Sequence, residues 1–425
     1  MKLSSIHCLN EPIKHWLYTF MNLLFYTSII VDLINGYLQL KLNINTPIGQ
    51  LFRLTIISFL IFFLLKKSLN KITKYAIIWV LLWFINCIIW VLSYSIYDIS
   101  FSISIEINDM IRIVYTLLMI GFFIKYYDYY GTSSLLKIVQ NYGALIALCI
   151  IFSFITGFGQ YSYGENYGFG TKSWFIAGND IGITMIFTLI ASSVNLFRSF
   201  SSYNLLSYLT IFIGSLLVGS RVCIFGASYT IVSTIIYFIF FFTPKKQDKI
   251  KYYISLILLL PLIIYGCIIF VSLIYSLLDN YALARLSIES IGSARDNLTL
   301  TTTKYIESLN GLSLLIGRGA SECYNYIATH IGYDTPFKST EADIYDLIGS
   351  YGFLFGLFTL LPFFHWTLKS IVKYLKNRTY INYNSCLICI LFLAIGSLSG
   401  HCIRNNMVAP IYAIFIGMLY HNNQT

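Results

Sequence analysis

The chain alternates long apolar runs with short polar seams. Runs of about 20 residues, enough for a helix to cross a bilayer, start near Trp16, Leu51, Lys74, Asp109, Ile138, Gly178, Asn204, Val222, Tyr252, Asp343, Asn384 and Asn406. None shows the two-residue alternation of an outer-membrane strand. The pattern predicts an all-α polytopic membrane protein with about twelve transmembrane helices. No small-residue cleavage site follows the first run, so it reads as a retained span and not a signal peptide. One polar stretch, from about Asp279 to Thr340, is longer than every other connection. It divides the chain into an N-terminal transmembrane region (1–278, about nine helices), a large loop (279–342) and a C-terminal transmembrane region (343–425, about three helices). Inside the loop, "ARDNLTLTTTKYIESL" (Ala294 to Leu309) has apolar residues at helical spacing and predicts short helices at the membrane surface.

Composition supports this reading. Of 425 residues, 57% are hydrophobic and 11% charged, against about 25% charged in soluble domains. Most of the nine cysteines lie in apolar runs, and no pair has zinc-like spacing with histidine. Cys323 and Cys402 fall on the same predicted side, which leaves a disulfide open. The net charge of +10 suggests nucleic acid, but its distribution excludes that partner. Lysine and arginine crowd alternate connections: Lys2 and Lys14; Lys66, Lys67, Lys71 and Lys74; Lys125 and Lys137; Arg198; Lys245, Lys246, Lys249 and Lys251; Lys369, Lys373, Lys376 and Arg378. This is a topology signal. It puts both termini in the cytoplasm and the large loop on the outer face. Charges within runs are few, chiefly Asp32, with Arg112 near the outer end of its helix.

Two stretches carry candidate chemistry. In "VGSRVCIFG" (Val218 to Gly226), Arg221 stands where one apolar run ends and the next begins. Ser220 is a good N-cap for the second helix. A helix start offers free N–H groups and the positive end of a dipole, and a guanidinium there suits a phosphate. The bland alternative is an interface arginine snorkelling to ordinary lipid. In "STEADIYDLIGSYGFLFG" (Ser339 to Gly356), Glu341, Asp343 and Asp346 crowd beside a hydrophobic span. Thr340 and Asp343 match a capping box, so these acids could serve only to start a helix. Carboxylates at that depth otherwise need basic partners or a wet cavity. Gly349, Gly352 and Gly356 predict close packing of this helix against a neighbour.

These stretches, with "SARDNLTLTTTKYIESLNGLSLLIGRG" (Ser293 to Gly319) between them, resemble the O-antigen polymerase and ligase superfamily over roughly the central third of the chain. The resemblance implies a GT-C-type glycosyltransferase acting on glycans carried by undecaprenyl pyrophosphate, at the outer face of the bacterial inner membrane. It implies that Arg221 and Arg295 hold the pyrophosphate, with Arg318 and Arg404 as further candidates. Ligases of this kind carry a histidine where the span after the loop begins. Here Glu341 stands there, which favours the polymerase branch. Glu341 is the expected general base, Asp343 the second candidate, and His330, eleven residues upstream of Glu341, the third. Tyr345 and Asp346 are expected to contact substrate. No cofactor and no metal are expected, although "E-A-D" could accept a divalent ion. The expected partners are the lipid-linked glycan, the bilayer and a chain-length regulator. The rival readings are an O-antigen ligase and a flippase or secondary transporter. The absence of a visible internal repeat counts against the transporter.

Overall fold

The computed structural model describes residues 11–44, 46–65, 71–97, 101–162, 170–241, 293–332, 336–398 and 400–421. Helix α1 (Glu11–Asn22) passes through a π-helical turn (Leu23–Thr27) into α2 (Ser28–Lys41). Then come α3 (Ile48–Leu65), α4 (Lys71–Tyr97), α5 (Ile103–Tyr130), α6 (Thr132–Thr156), α7 (Gly178–Arg198), α8 (Ser202–Val218) and α9 (Arg221–Phe241). A two-stranded antiparallel hairpin, β1 (Gln160–Tyr161) and β2 (Thr171–Ser173), joins α6 to α7. The large loop holds α10 (Ser293–Ser308), α11 (Gly311–Ile316) and α12 (Ala320–Ile331). The chain ends in α13 (Asp343–Lys376), α14 (Tyr380–Leu398) and α15 (Ala409–His421).

Among the described residues, eight helical stretches are long and apolar enough to cross a membrane, and three shorter apolar helices cover Ser202–Val218, Val222–Ile236 and Ala409–His421. Together they account for every predicted run except the one near Tyr252, which lies outside the described residues, as does 279–292. The protein is an all-α polytopic membrane protein. Its contacts divide it into two units, 1–227 with 295–425, and 228–294. The site lies in the first.

In that unit α5, α7 and α15 form the centre. Residues 181–196 of α7 and 409–419 of α15 are buried without interruption. Small residues allow the close approaches. A Cβ on Gly417 would lie 3.2 Å from the Phe123 carbonyl oxygen, and one on Gly214 would lie 2.6 Å from Ala147 Cβ. Helices α3 and α4 instead turn Leu51, Phe62, Leu81 and Leu92 outward. In water that surface would be an aggregation hazard. Against lipid tails it costs nothing, because the tails are as apolar as leucine.

The glycines of α13 do more than permit helix packing. Gly352 has φ 69° and ψ 179°, so α13 is broken there. Gly317, at the end of α11, has φ 72°. A Cβ on Gly317 would sit 2.1 Å from the Ser350 carbonyl oxygen, and one on Gly352 would sit 2.5 Å from the Gly317 nitrogen. The two backbones cross where neither carries a side chain. The Gly319 N–H donates to Ser350 O at 2.8 Å, so the loop is hydrogen-bonded to the carbonyl that the break in α13 leaves free.

Candidate functional site

The centre of the site is Arg404, in the connection from α14 to α15. It is 2% exposed. Its Nε lies 2.9 Å from Asp109 Oδ1, and its Nη2 donates to Asp109 Oδ2 at 3.1 Å. Its Nη1 lies 3.2 Å from Asp346 Oδ2. Tyr351 donates to Asp109 Oδ2 at 2.6 Å, and Tyr324 packs 6.0 Å from the guanidinium carbon. Burial disfavours the Arg404 charge, but the carboxylate of Asp109, followed by Tyr324 and Asp346, holds its pKa well above even the usual arginine value. The planar fork suits this bidentate pairing, which a lysine could not reproduce.

Asp343 binds the same connection from the other side. Its Oδ2 accepts the N–H of Cys402 at 2.6 Å and of Ile403 at 2.7 Å. Its Oδ1 lies 3.2 Å from His401 Nδ1, which is also 3.7 Å from Asp346 Oδ2. The second ring nitrogen of His401 is 3.4 Å from Ser339 Oγ, at the end of the loop. Burial disfavours the imidazolium. The hydrogen bond to Asp343 and the charges of Asp346 and Asp343 outweigh it, so the His401 pKa is raised above its ordinary value. Asp346 Oδ1 also accepts the Thr340 N–H at 2.8 Å. One turn before Asp109, Glu106 Oε1 accepts the N–H and the hydroxyl of Ser321, each at 2.7 Å, and thereby caps the loop helix α12. Gly319 lets it approach, since a Cβ there would lie 2.6 Å from that oxygen.

The structure thus joins three of the expected site residues, Asp343, Asp346 and Arg404, and adds Asp109, Glu106, His401 and Tyr351. The predicted capping box does not form. Helix α13 follows Ala342 with no side-chain cap, and the Thr340 hydroxyl instead pairs with Thr302 of α10 at 2.6 Å. Glu341 stands at the rim, partly exposed, in the left-handed region at φ 63°, with Lys338 Nζ 2.6 Å from its carboxylate. Tyr345 is half-buried in the first turn of α13, and Arg318 half-buried between α11 and α12. His330 stays within its own exposed helix end, stacked 3.8 Å from Tyr326 and bonded to its carbonyl at 2.9 Å. The side chains of Arg221 and Arg295 lie outside the described part of the structure. Their backbones stand in the first turns of α9 and α10. Ser220 caps α9 as predicted, accepting the Cys223 N–H at 3.2 Å. Its hydroxyl lies 2.9 Å from where a Cβ on Gly182 would be. Half a turn earlier on α7, the Asp180 carbonyl accepts from Asn405 at 3.1 Å. The seam and the 400–405 connection therefore meet the same helix start.

Cys323 and Cys402 are both buried and free. Among the described residues no group of three His, Cys, Asp or Glu side chains is placed to hold a metal ion. The residues that sequence reasoning missed left one signal each. "HCIRNN" (His401 to Asn406) is the polar interruption in an otherwise apolar C-terminal stretch, and Glu106 and Asp109, with Asp98, are the acids of the seam they border.

The profile of the O-antigen ligase-like membrane protein family matches residues 10–303. The chain belongs to this family. Among curated proteins none matches it. The family match takes in Glu106, Asp109, Arg221 and Arg295 and ends within α10, so the acids of α13 and the His401–Arg404 connection come from the remaining third of the chain.

Proposed function

We propose that this member of the O-antigen ligase-like family is a glycosyltransferase of surface-polysaccharide assembly, which polymerises oligosaccharide repeat units carried on undecaprenyl pyrophosphate. The observation that carries this reading is the cluster of Arg404, His401, Asp109, Asp343 and Asp346. It fastens the loop helices to the starts of α5 and α13 and leaves Lys338 and Glu341 at an accessible rim. An enzyme working on a lipid-anchored sugar diphosphate needs such a place, where a rigid polar wall meets the bilayer edge.

In the reaction, the hydroxyl oxygen of the incoming repeat unit forms a bond to the anomeric carbon of the growing chain. The bond from that carbon to the pyrophosphate oxygen breaks, and the pyrophosphate leaves with the electron pair. Glu341 takes the hydroxyl proton. Arg221 and Arg295, each at a helix start, stabilise the charge on the leaving group together with the helix dipoles. Arg318, half-buried between α11 and α12, is a further candidate for that work. The fork of Arg404 and the oxygens of Asp343 are already engaged, so we assign both to positioning. The anomeric carbon passes through an oxocarbenium-like state that nearby carboxylates support. No metal is needed when arginines carry the leaving-group charge. On this reading both termini are cytoplasmic, the loop is periplasmic, and a chain-length regulator is the natural protein partner.

A second reading, ligation of finished polymer to lipid A–core, is favoured by His401, which brings a histidine to the end of the loop beside Ser339. One variant separates the two. In Glu341→Gln, removal of a general base lowers polymer elongation roughly 100- to 10,000-fold, measured with lipid-linked repeat units and purified protein. In cells a failed polymerase leaves single repeats on the core, whereas a failed ligase leaves bare core. Near-normal chain length in Glu341→Gln refutes the base assignment.

A further inference from the structure

A second polar constellation lies away from the Arg404 cluster, in a small cavity bounded by α2, α3, α5, α6 and the start of α15. Asp32 and Arg53 face one another across it with a shortest N–O distance of 3.8 Å. Tyr115 and Asn406 supply further polar atoms, and Asn406 Oδ1 is buried with no hydrogen-bond partner. Leu24 and Phe25, in the π-helical turn, line an apolar wall. Such turns are rare and concentrate at functional sites. Asp32 and Arg53 are 21% and 22% exposed, so neither is sealed in the helix packing. The space is about that of one or two water molecules.

Stability does not explain this pair. An apolar pair of similar volume is often as stable as a buried ion pair or more so, and a separation of 3.8 Å forgoes the hydrogen bonds that would offset desolvation. Ionisable groups inside a membrane bundle usually mark a substrate path. The gap between carboxylate and guanidinium fits a group that donates and accepts at one atom. A hydroxyl does both: its O–H donates to Asp32, and its oxygen accepts from Arg53. Asn406 Oδ1 can accept a further hydrogen bond, and the apolar walls suit the methylene of a hydroxymethyl arm. The pocket is linked to the Arg404 cluster through the chain and through Asp180. Asn406 follows Arg404 by two residues, and Asp180 lies within electrostatic reach of both Arg53 and His401.

We propose that the Asp32–Arg53 cavity is a carbohydrate subsite that takes a hydroxyl-bearing arm, such as a hydroxymethyl group, of the glycan substrate. This rests on the glycosyltransferase reading for its substrate class, but its test does not require turnover. Full-length protein in detergent is mixed with methyl β-glucoside or methyl β-galactoside, and saturation transfer from protein to sugar protons is measured. Wild type is expected to transfer saturation to a subset of the sugar protons. The double variant Asp32→Leu/Arg53→Met removes both hydrogen-bonding partners without leaving one charge unpaired. It should keep its thermal midpoint and lose about tenfold in binding. Phe52→Trp fills the cavity with the ion pair intact and should show the same loss, which covers the case in which the double variant misfolds. Equal transfer in wild type and Phe52→Trp, or none in wild type, overturns the subsite. Sugar binding that follows the variants in a protein unable to elongate lipid-linked repeats overturns the polymerase reading alone.

Discussion

Arg404 holds two carboxylates, Asp109 and Asp346, in a buried setting, and Asp346 has only His401, 3.7 Å away, as a further cationic partner among the described residues. Removing one partner of such a group costs about 3–5 kcal/mol, because the remaining charges stay buried without compensation. Arg404→Met is therefore expected to lower the thermal midpoint in detergent sharply. Arg404→Lys should recover only part of the loss, since an ammonium cannot replace the fork. His401 contributes in a pH-dependent way. Its folded pKa is raised above the value of 6.5 that an unperturbed histidine has. Its stabilising pairing with Asp343 is therefore complete below about pH 6.5 and is lost as pH rises through the folded pKa. Wild-type midpoints measured across that window should fall with rising pH, and His401→Gln should flatten the dependence. An unchanged slope in the variant would assign the titration to another group.

At the scale of elements, the loop and the membrane bundle are joined at a glycine crossing. Helix α11 ends at Gly317 and α13 breaks at Gly352, with both residues at positive φ. Alanine at Gly317 has a strained backbone and a methyl that meets the Ser350 carbonyl. Gly317→Ala is expected to destabilise by more than about 1 kcal/mol. Limited proteolysis should then cut α10–α12 faster while the spans resist. Equal proteolysis of variant and wild type would show that the crossing does not hold the loop. The glycine spacing of α13 was visible in the sequence as a packing signal. That Gly352 would break the helix was not, because the break depends on a partner backbone from a segment more than thirty residues away.

For the whole molecule, the orientation in the membrane decides whether the site faces the lipid-linked substrate. Leu312 is 54% exposed on α11. In a background without native cysteines, Leu312→Cys should react with an impermeant maleimide supplied from outside the inner membrane. Reaction only after that membrane is broken would reverse the topology and remove the proposed reaction from its substrate.

The sequence by itself determined the helical membrane architecture, because backbone groups in lipid must be satisfied within each segment and only long apolar runs allow it. It also marked the Arg221 seam, the loop helix over 294–309 and the acids at the start of α13, since charges are costly there and stand out against an apolar background. Which charges face which was decided only in three dimensions. Asp109 meets Arg404 across nearly three hundred residues, Glu106 caps a helix in the loop, and Asp343 holds a backbone turn where local spacing suggested a capping box. The physical reason is that buried charges are satisfied by whichever partner the packed helices bring within about 3 Å. Hydrophobic periodicity fixes the faces of helices but leaves their neighbours undetermined.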